Sequence, residues 1–413
     1  MLYCKIKKVE WVSGMLFEKI AAGRLPPQAR FPAVLTSAYL YALPAAVLEG
    51  FPGETSLLPS VFLRAVCWEP FCADGAQAAV SGAGPSVNLL FFWKRWEDAA
   101  MTDITTIGEI LIDLTQTGVS AAGVPQFAAN PGGAPANVAV AASRLGAKTA
   151  FIGKAGEDGF GIYLRQVLEE NNVDCSGLRA GRQATTMAIV SVDAKGERGF
   201  RFIRGADQEL TPQEVDEQAV LNSKILHFGS VSLTPGIARN ATIFAARTAH
   251  KSGRLVSYDP NYRPALWASE GDAVEWMRIP LPLVDIIKLS EEELPLLTGV
   301  SDPAAGSEIL AEQGVRLALV TMGGSGVFCR WREETFTVPG VSVQVADTNG
   351  AGDTFFGAVL SRLSRRDGPP LEGLERVELE EILAFANRAA ALTCSRSGAI
   401  PAMPALEEVE NRA

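Results

Sequence analysis

The run Asp347-Thr348-Asn349-Gly350-Ala351-Gly352-Asp353-Thr354-Phe355-Phe356-Gly357 carries the strongest chemical signal in the chain. Gly350 and Gly352 stand just before an apolar helical stretch. Such a turn lets backbone N–H groups converge on one spot, where the helix N-terminus adds partial positive charge. That is an anion hole suited to a transferring phosphoryl group. A carboxylate at Asp353, in the first turn, would lie beside the anion. There it can orient a hydroxyl and accept its proton as the bond to phosphorus forms. The competing reading is a plain helix start with an acidic residue facing the dipole.

A second cluster, Asn130-Pro131-Gly132-Gly133-Ala134-Pro135-Ala136-Asn137, leads into an alanine-rich helix. Two glycines admit a ligand close to the backbone, and Asn137 offers a donor and an acceptor. This suits neighbouring hydroxyls on a sugar; a simple loop-to-helix junction with Pro135 at its first position is the alternative. A third, Val320-Thr321-Met322-Gly323-Gly324-Ser325-Gly326-Val327, reads as strand–turn–strand. It can lie along a nucleotide's phosphates or ribose, and a tight hairpin explains it equally well. No GxxxxGK[ST] occurs, no GxGxxG follows the first strand and there is no HExxH, which disfavours P-loop kinases, Rossmann dehydrogenases and zincins.

Composition narrows the class. With 47% hydrophobic and 20% charged residues the chain is an ordinary globular protein, so disordered and low-complexity classes are excluded for its bulk. Its 413 residues make two or three domains, or one large α/β domain with additions. Lys and Arg number 37 against 47 Asp and Glu, and the net charge of −10 without a basic run argues against a nucleic-acid partner. Only two histidines, His227 and His250, weaken any His-rich metal site or Ser-His-Asp reading. Six scattered cysteines without a CxxC fit a reducing, cytoplasmic location.

Residues 1–100 differ from the rest. They hold nine basic and eight acidic residues, four of the seven tryptophans and no sustained helical or strand period. Their apolar stretch 31–48 contains Pro32, Thr36, Ser37 and Pro44, which argues against a membrane span. This segment is read as an N-terminal extension of doubtful structure from an over-extended gene model, with translation beginning naturally at Met101. From there apolar runs alternate with helical stretches. Strands are expected at 104–114, 148–152, 225–228, 255–258, 284–289 and 316–321. Helices are expected at 134–145, 159–171, 235–251 (Thr234 as N-cap), 350–363 and 379–396. Residues 185–192 and 199–203 read as a hairpin around the turn 193–196. The alternation predicts a mostly parallel sheet covered on both faces, with the hairpin strands in a small lid over the crevice at the strand C-termini.

Residues 103–405 resemble the ribokinase/PfkB family of carbohydrate kinases. Gly132-Gly133-x-x-x-Asn137 through Gly146, with Gly156-Glu157-Asp158-Gly159-Phe160-Gly161, looks like the family's N-terminal signature, and residues 347–354 look like its C-terminal one. Within the family the chain is most similar to bacterial fructokinases: Pro135 in the Gly-Gly-Ala-Pro-Ala-Asn run, the Arg204-Gly-Ala-Asp segment and Asp259-Pro-Asn-Tyr-Arg263-Pro-x-Leu-Trp267 point that way. The resemblance implies a ribokinase-like three-layer α/β/α sandwich over residues 101–410, with lid strands within about 113–130 and 183–204. It implies phosphorylation of a sugar primary hydroxyl by ATP with Mg²⁺, fructose to fructose 6-phosphate. In that reading Asp353 is the base and the backbone of Gly350, Ala351 and Gly352 is the anion hole. Asp113, Gly132, Gly133, Asn137, Arg204 and Arg263 hold the sugar, while Thr321, Gly323, Gly326 and Asn387 flank the nucleotide. Some relatives hold a monovalent cation such as K⁺ beside the counterparts of Asp347 and residues 395–398.

Several positions keep a second reading. Asp113 is also a common turn residue, Arg204 a solvated hairpin charge, and Arg263 a partner for a carboxylate near a helix start. Where many members have Asn-x-x-Glu near the Mg²⁺–phosphate site, this chain has Ser290-Glu291-Glu292-Glu293. Glu293 then either meets the metal through water or closes a capping box with Ser290. Lys288 is a phosphate contact or a solvated charge at a strand end. The rival activities are a 2-keto-3-deoxygluconate kinase, a nucleoside kinase and, from another class, a non-catalytic sugar sensor. The partners expected are a small-molecule sugar and ATP, without nucleic acid or membrane, and a homodimer paired through the exposed lid sheet.

Overall fold

The computed structural model describes residues 101–192 and 198–411. The extension 1–100, its apolar stretch and the turn 193–196 lie outside the described residues.

Among the described residues thirteen strands form two sheets. In chain order they are β1 (Thr102–Ile107), β2 (Leu111–Val119), β3 (Pro125–Gly132), β4 (Thr149–Gly156), β5 (Val173–Gly181), β6 (Met187–Val192), β7 (Arg198–Ile203), β8 (Ser223–Gly229), β9 (Leu255–Asp259), β10 (Ile286–Ser290), β11 (Leu317–Thr321), β12 (Gly326–Trp331) and β13 (Glu334–Pro339). The large sheet runs β13-β12-β11-β10-β9-β8-β1-β4-β5. Every pair from β11 through β5 is parallel, and β12 and β13 extend that edge antiparallel. The small sheet runs β3-β2-β6-β7.

The three layers follow from strand alternation. Ile286, Leu317 and Leu319 face one apolar cluster with Phe355, Val359 and Leu383, from the helices Ala351–Ser364 and Arg376–Cys394. Their neighbours Ile287, Ala318 and Val320 face the other cluster, with Ala241 and Ala245 of the helix Ala238–Lys251. The helix Ala134–Arg144 is small-sided because another helix lies on it. A Cβ at Gly357 would come within 2.7 Å of Ala141 Cβ, and Ser361 Oγ donates to Leu145 O at 3.0 Å.

Two expected boundaries change. The apolar run 104–114 is two strands in different sheets. Gly108, at φ 152°, breaks it, and a Cβ there would meet Pro135 Cγ at 2.6 Å. Thr234 does not cap the following helix, which begins at Ala238; its hydroxyl instead donates to Val231 O at 2.7 Å and closes the short turn Val231–Leu233. The hairpin is present, with β6 and β7 antiparallel from Met187↔Ile203 to Val192↔Arg198.

Candidate active site

The carboxyl ends of β1, β8, β9 and β10 converge beneath the small sheet. They surround a cavity of about 340 Å³ lined by Glu109, Asp113, Asn137, Val231, Asn261, Arg263, Lys288 and Asp353. A parallel sheet places ligands there because the strand order reverses around its central strand, leaving a crevice between connections. Here that strand is β1, with β4 on one side and β8 on the other.

Asp353 opens the helix Ala351–Ser364 and is 7% exposed. Asn137 Nδ2 donates to its Oδ2 at 2.8 Å. Burial raises its carboxyl above the ordinary range, against the pull of the Asn137 bond, Lys288 and Arg263. A base poised this way is a better proton acceptor than a solvated aspartate. Gly350 sits at φ 74°, and a Cβ there would fall 2.9 Å from Ala399 Cα. Among the described hydrogen bonds the N–H groups of Gly350 and Gly352 have no acceptor, which leaves them for an anion. Ala351 differs from expectation: its N–H is turned to Thr348 O at 3.3 Å.

Asp113 lies on β2 in the small sheet, opposite Asn130. Gly132 makes room for it, since a Cβ there would be 2.4 Å from Asp113 Oδ2. Burial pushes the Asp113 carboxyl up to about 6, with Arg263 drawing it down and Asp353 pushing it up. An ionised Asp113 accepts hydrogen bonds from hydroxyls; its protonated form gives up one of those acceptors. Catalytic efficiency toward the sugar, kcat/KM, is therefore expected to fall as pH drops through about 6. A pH–rate profile at saturating nucleotide measures this; a flat profile from pH 7.5 to 5 would remove Asp113 from sugar binding.

Gly133, at φ 107°, is the residue before the helix Ala134–Arg144. Asn137 Oδ1 is buried without a protein partner, an acceptor left over for a ligand hydroxyl. Glu109 was not singled out from the sequence. It is 2% exposed, its Oε1 accepts the Ala134 N–H at 3.0 Å, and burial raises it to about 7.

The remaining predicted residues divide. Arg263 lines the cavity. Arg204 does not: its guanidinium bonds Asp207 Oδ2 at 2.6 Å and Thr234 Oγ1 at 2.9 Å. Thr321, Gly323, Gly326 and Asn387 also lie off the cavity lining. Gly326 pairs with Pro339, and Asn387 Nδ2 donates to Pro339 O at 2.9 Å, so these two residues meet around the end of β13. Glu293 completes a capping box: Oε2 accepts from Ser290 N at 2.8 Å and Ser290 Oγ accepts from Glu293 N at 3.2 Å. Its Oε1 also accepts the Tyr262 N–H at 2.7 Å. His227 is driven down to about 3 by burial and stays neutral, packed edge-on against Phe356. Among the described residues no group of three or more His, Cys, Asp or Glu is arranged around a metal, and no helix is long and apolar enough to cross a membrane.

Comparison with known proteins decides the family. Residues 101–406 match the pfkB family of carbohydrate kinases. The chain belongs to that family. This kinase is 42% identical over 320 residues to probable fructokinase-7 of Arabidopsis thaliana, covering 75% of this chain and 92% of that protein. Among solved structures it resembles fructokinase with bound ATP from Xylella fastidiosa, at 33% identity and TM-score 0.70, over 75% of this chain and 97% of that one. It also resembles the Vibrio cholerae fructokinase in its fructose, ADP and calcium form, at 29% identity and TM-score 0.67, over 76% and 99%. The kinase fold expected from the sequence is thus the fold observed, and the sensor reading gives way to an enzyme.

Proposed function

We propose that this carbohydrate kinase transfers the γ-phosphoryl group of ATP to the primary hydroxyl of fructose, giving fructose 6-phosphate. The observation that carries the reading is Asp353, buried beside unpaired helix N–H groups and bonded to Asn137 in the same cavity as Asp113. The sugar is held by Asp113 and Asn137 under the small sheet. Asp353 orients the hydroxyl for in-line attack and takes its proton, and the Gly350 and Gly352 amides receive the transferring group's charge. Closure of the lid excludes water, which protects ATP from hydrolysis.

The metal enters as MgATP. Both Glu293 oxygens accept backbone N–H bonds, so this carboxylate would meet the ion through water. The nucleotide lies toward Thr321, Gly323, Gly326 and Asn387, with K⁺ beside Asp347 as an accessory ion. Free Cys175 and Cys329, both buried, support a reducing compartment such as the cytoplasm. Exposed Val119 and Phe127 on the small sheet, with Val124 in the turn between their strands, support a homodimer through the lid. A keto-sugar acid is disfavoured because Arg204 is spent on Asp207 and Thr234, leaving one arginine, Arg263, on the cavity lining.

A coupled assay with MgATP and fructose, ribose, 2-keto-3-deoxygluconate or adenosine tests the assignment. Fructose is expected to give the highest kcat/KM. A tenfold preference for any of the others would overturn it.

A further inference from the structure

Arg204 stands off the sugar cavity, yet it joins two of the cavity's walls. Phe202, two residues earlier on β7, lines the cavity from the small sheet, and Val231, just after β8, lines it from the large one. Arg204 Nη1 donates to Thr234 Oγ1 at 2.9 Å, and that hydroxyl donates in turn to Val231 O at 2.7 Å. The guanidinium is largely buried and is aimed by Asp207, whose Oδ2 accepts from its Nε at 3.1 Å and from its Nη2 at 2.6 Å. The other Asp207 oxygen accepts the Thr186 hydroxyl, and Thr186 Oγ1 accepts the Gly205 N–H at 2.6 Å. A Cβ at Gly205 would fall 1.9 Å from Ala184 O, so the chain entering β6 and the chain leaving β7 meet backbone to backbone. The Ile112 N–H donates to Thr186 O at 3.0 Å. Thr186 thus gathers the roots of three small-sheet strands: β6 begins at the next residue, β7 ends two residues before Gly205, and Ile112 precedes Asp113 on β2. Asp158, from the motif at 156–161, steadies the same root, its two oxygens accepting the Thr185 N–H and the Thr185 hydroxyl, each at 2.7 Å. Buried, charge-assisted bonds of this kind fix both distance and direction.

We infer that Arg204 is a positioning residue that sets the width of the sugar cavity. It ties the root of the small sheet, with Phe202 and Asp113, to the Val231 wall through Thr234, and it does so without touching the sugar. The inference rests on the sugar-kinase reading above. A cavity held at its working width before the sugar arrives spares part of the ordering cost of binding. It also discriminates, because a smaller sugar leaves contacts unmade and a larger one is crowded. Loosening the tie should therefore weaken sugar binding and blur the choice among sugars. The nucleotide, placed toward Thr321 and Asn387, lies away from these two walls and should be indifferent to it.

Three variants test this against a merely structural ion pair. The probe is the sugar of the assay panel that the wild type binds most tightly, expected to be fructose, with its Kd read by calorimetry and KM by the coupled assay. Thr234→Val leaves the Arg204–Asp207 pair in place and removes the tie to the Val231 wall. It is expected to raise the sugar Kd and KM about tenfold, the worth of one charge-assisted hydrogen bond, while KM for MgATP moves less than twofold. The ratio of kcat/KM between that sugar and the next best is expected to fall about fivefold. Thr234→Ser keeps the hydroxyl and is expected to bind within about twofold of wild type. Arg204→Met should match Thr234→Val in sugar affinity, but it strands the Asp207 carboxylate and can lose stability. Should it fail to fold, Thr234→Val decides. A sugar Kd in Thr234→Val within twofold of wild type overturns the inference. So does a Thr234→Ser enzyme as weak as Thr234→Val, because the hydroxyl is then not the cause. An equal rise in KM for MgATP would mark general loosening and overturn it too. Calorimetry reads binding alone, so a wild type that binds the sugar without phosphorylating it sinks the proposed function, and the Kd comparison still decides this inference.

Discussion

Replacing Asp353 by Asn is expected to cut kcat by about 10²–10⁴-fold, the usual worth of a positioned general base. The fold should not suffer. Burial raises the Asp353 carboxyl, so its ionised form is the strained one, and a neutral amide of the same shape relieves that cost. The Asn137 Nδ2 bond at 2.8 Å survives as well, because the new side chain keeps an acceptor oxygen. KM for the sugar should change only a few fold, since Asp113 and Asn137 still hold it. Steady-state kinetics beside a thermal melt make the check; turnover within tenfold of wild type would exclude Asp353 as the base.

The second large effect concerns Gly133. Its φ of 107° is one that side chains rarely adopt, and an added Cβ would stand 2.5 Å from Glu109 O and 3.0 Å from Ile110 Cα. Both obstacles are backbone, so no rotamer relieves them. Either the 108–110 crossing or the first turn of the Ala134–Arg144 helix must move, and Asn137 moves with that helix. Gly133→Ala is expected to cost roughly 2–5 kcal/mol and to depress kcat/KM along with stability. Gly314 supplies the control. Its φ is 104°, yet nothing lies within 4 Å of an added Cβ, so Gly314→Ala should cost only about 1–2 kcal/mol. Denaturant unfolding of both variants separates dihedral strain from close approach. Equal losses would show that the contact with Glu109 does not matter.

The parts legible in the sequence are those where a local necessity forces a residue type. Gly133 and Gly350 need positive φ, and Gly132 and Gly352 must leave room for Asp113 and Lys288, so glycine runs flag the site directly. The alternation of β8, β9, β10 and β11 with helices was legible for the same reason, because buried parallel strands are short apolar runs. The strand split at Gly108 was not, since the apolar run continues through it while the chain changes sheets. Neither was β5, whose exposed Asp174 and half-buried Arg179 dilute its apolar character, nor β13 at the antiparallel edge. Glu109 and the pairing of Lys288 with Asp259 stayed hidden for a topological reason. Each carboxylate or ammonium looks like an ordinary strand-end charge until the sheet brings those ends together. Arg204 shows the converse: its motif is local and was noticed, but Asp207, three residues on, claims the guanidinium.

The docking of Gly357 against Ala141 bears on the order in which the chain leaves the ribosome. The two helices that close one face of the sheet are made late, and the first, from residues 351–364, carries both the base and the amide cradle. Until it emerges, the alanine face of the Ala134–Arg144 helix and the apolar side of β10 and β11 stay wet. A nascent chain stalled before Gly350 therefore lacks the means of transfer and leaves a broad apolar flank open to chaperones. Catalytic competence comes with that turn of helix, and cover for the flank is completed by the helix Arg376–Cys394 that follows it.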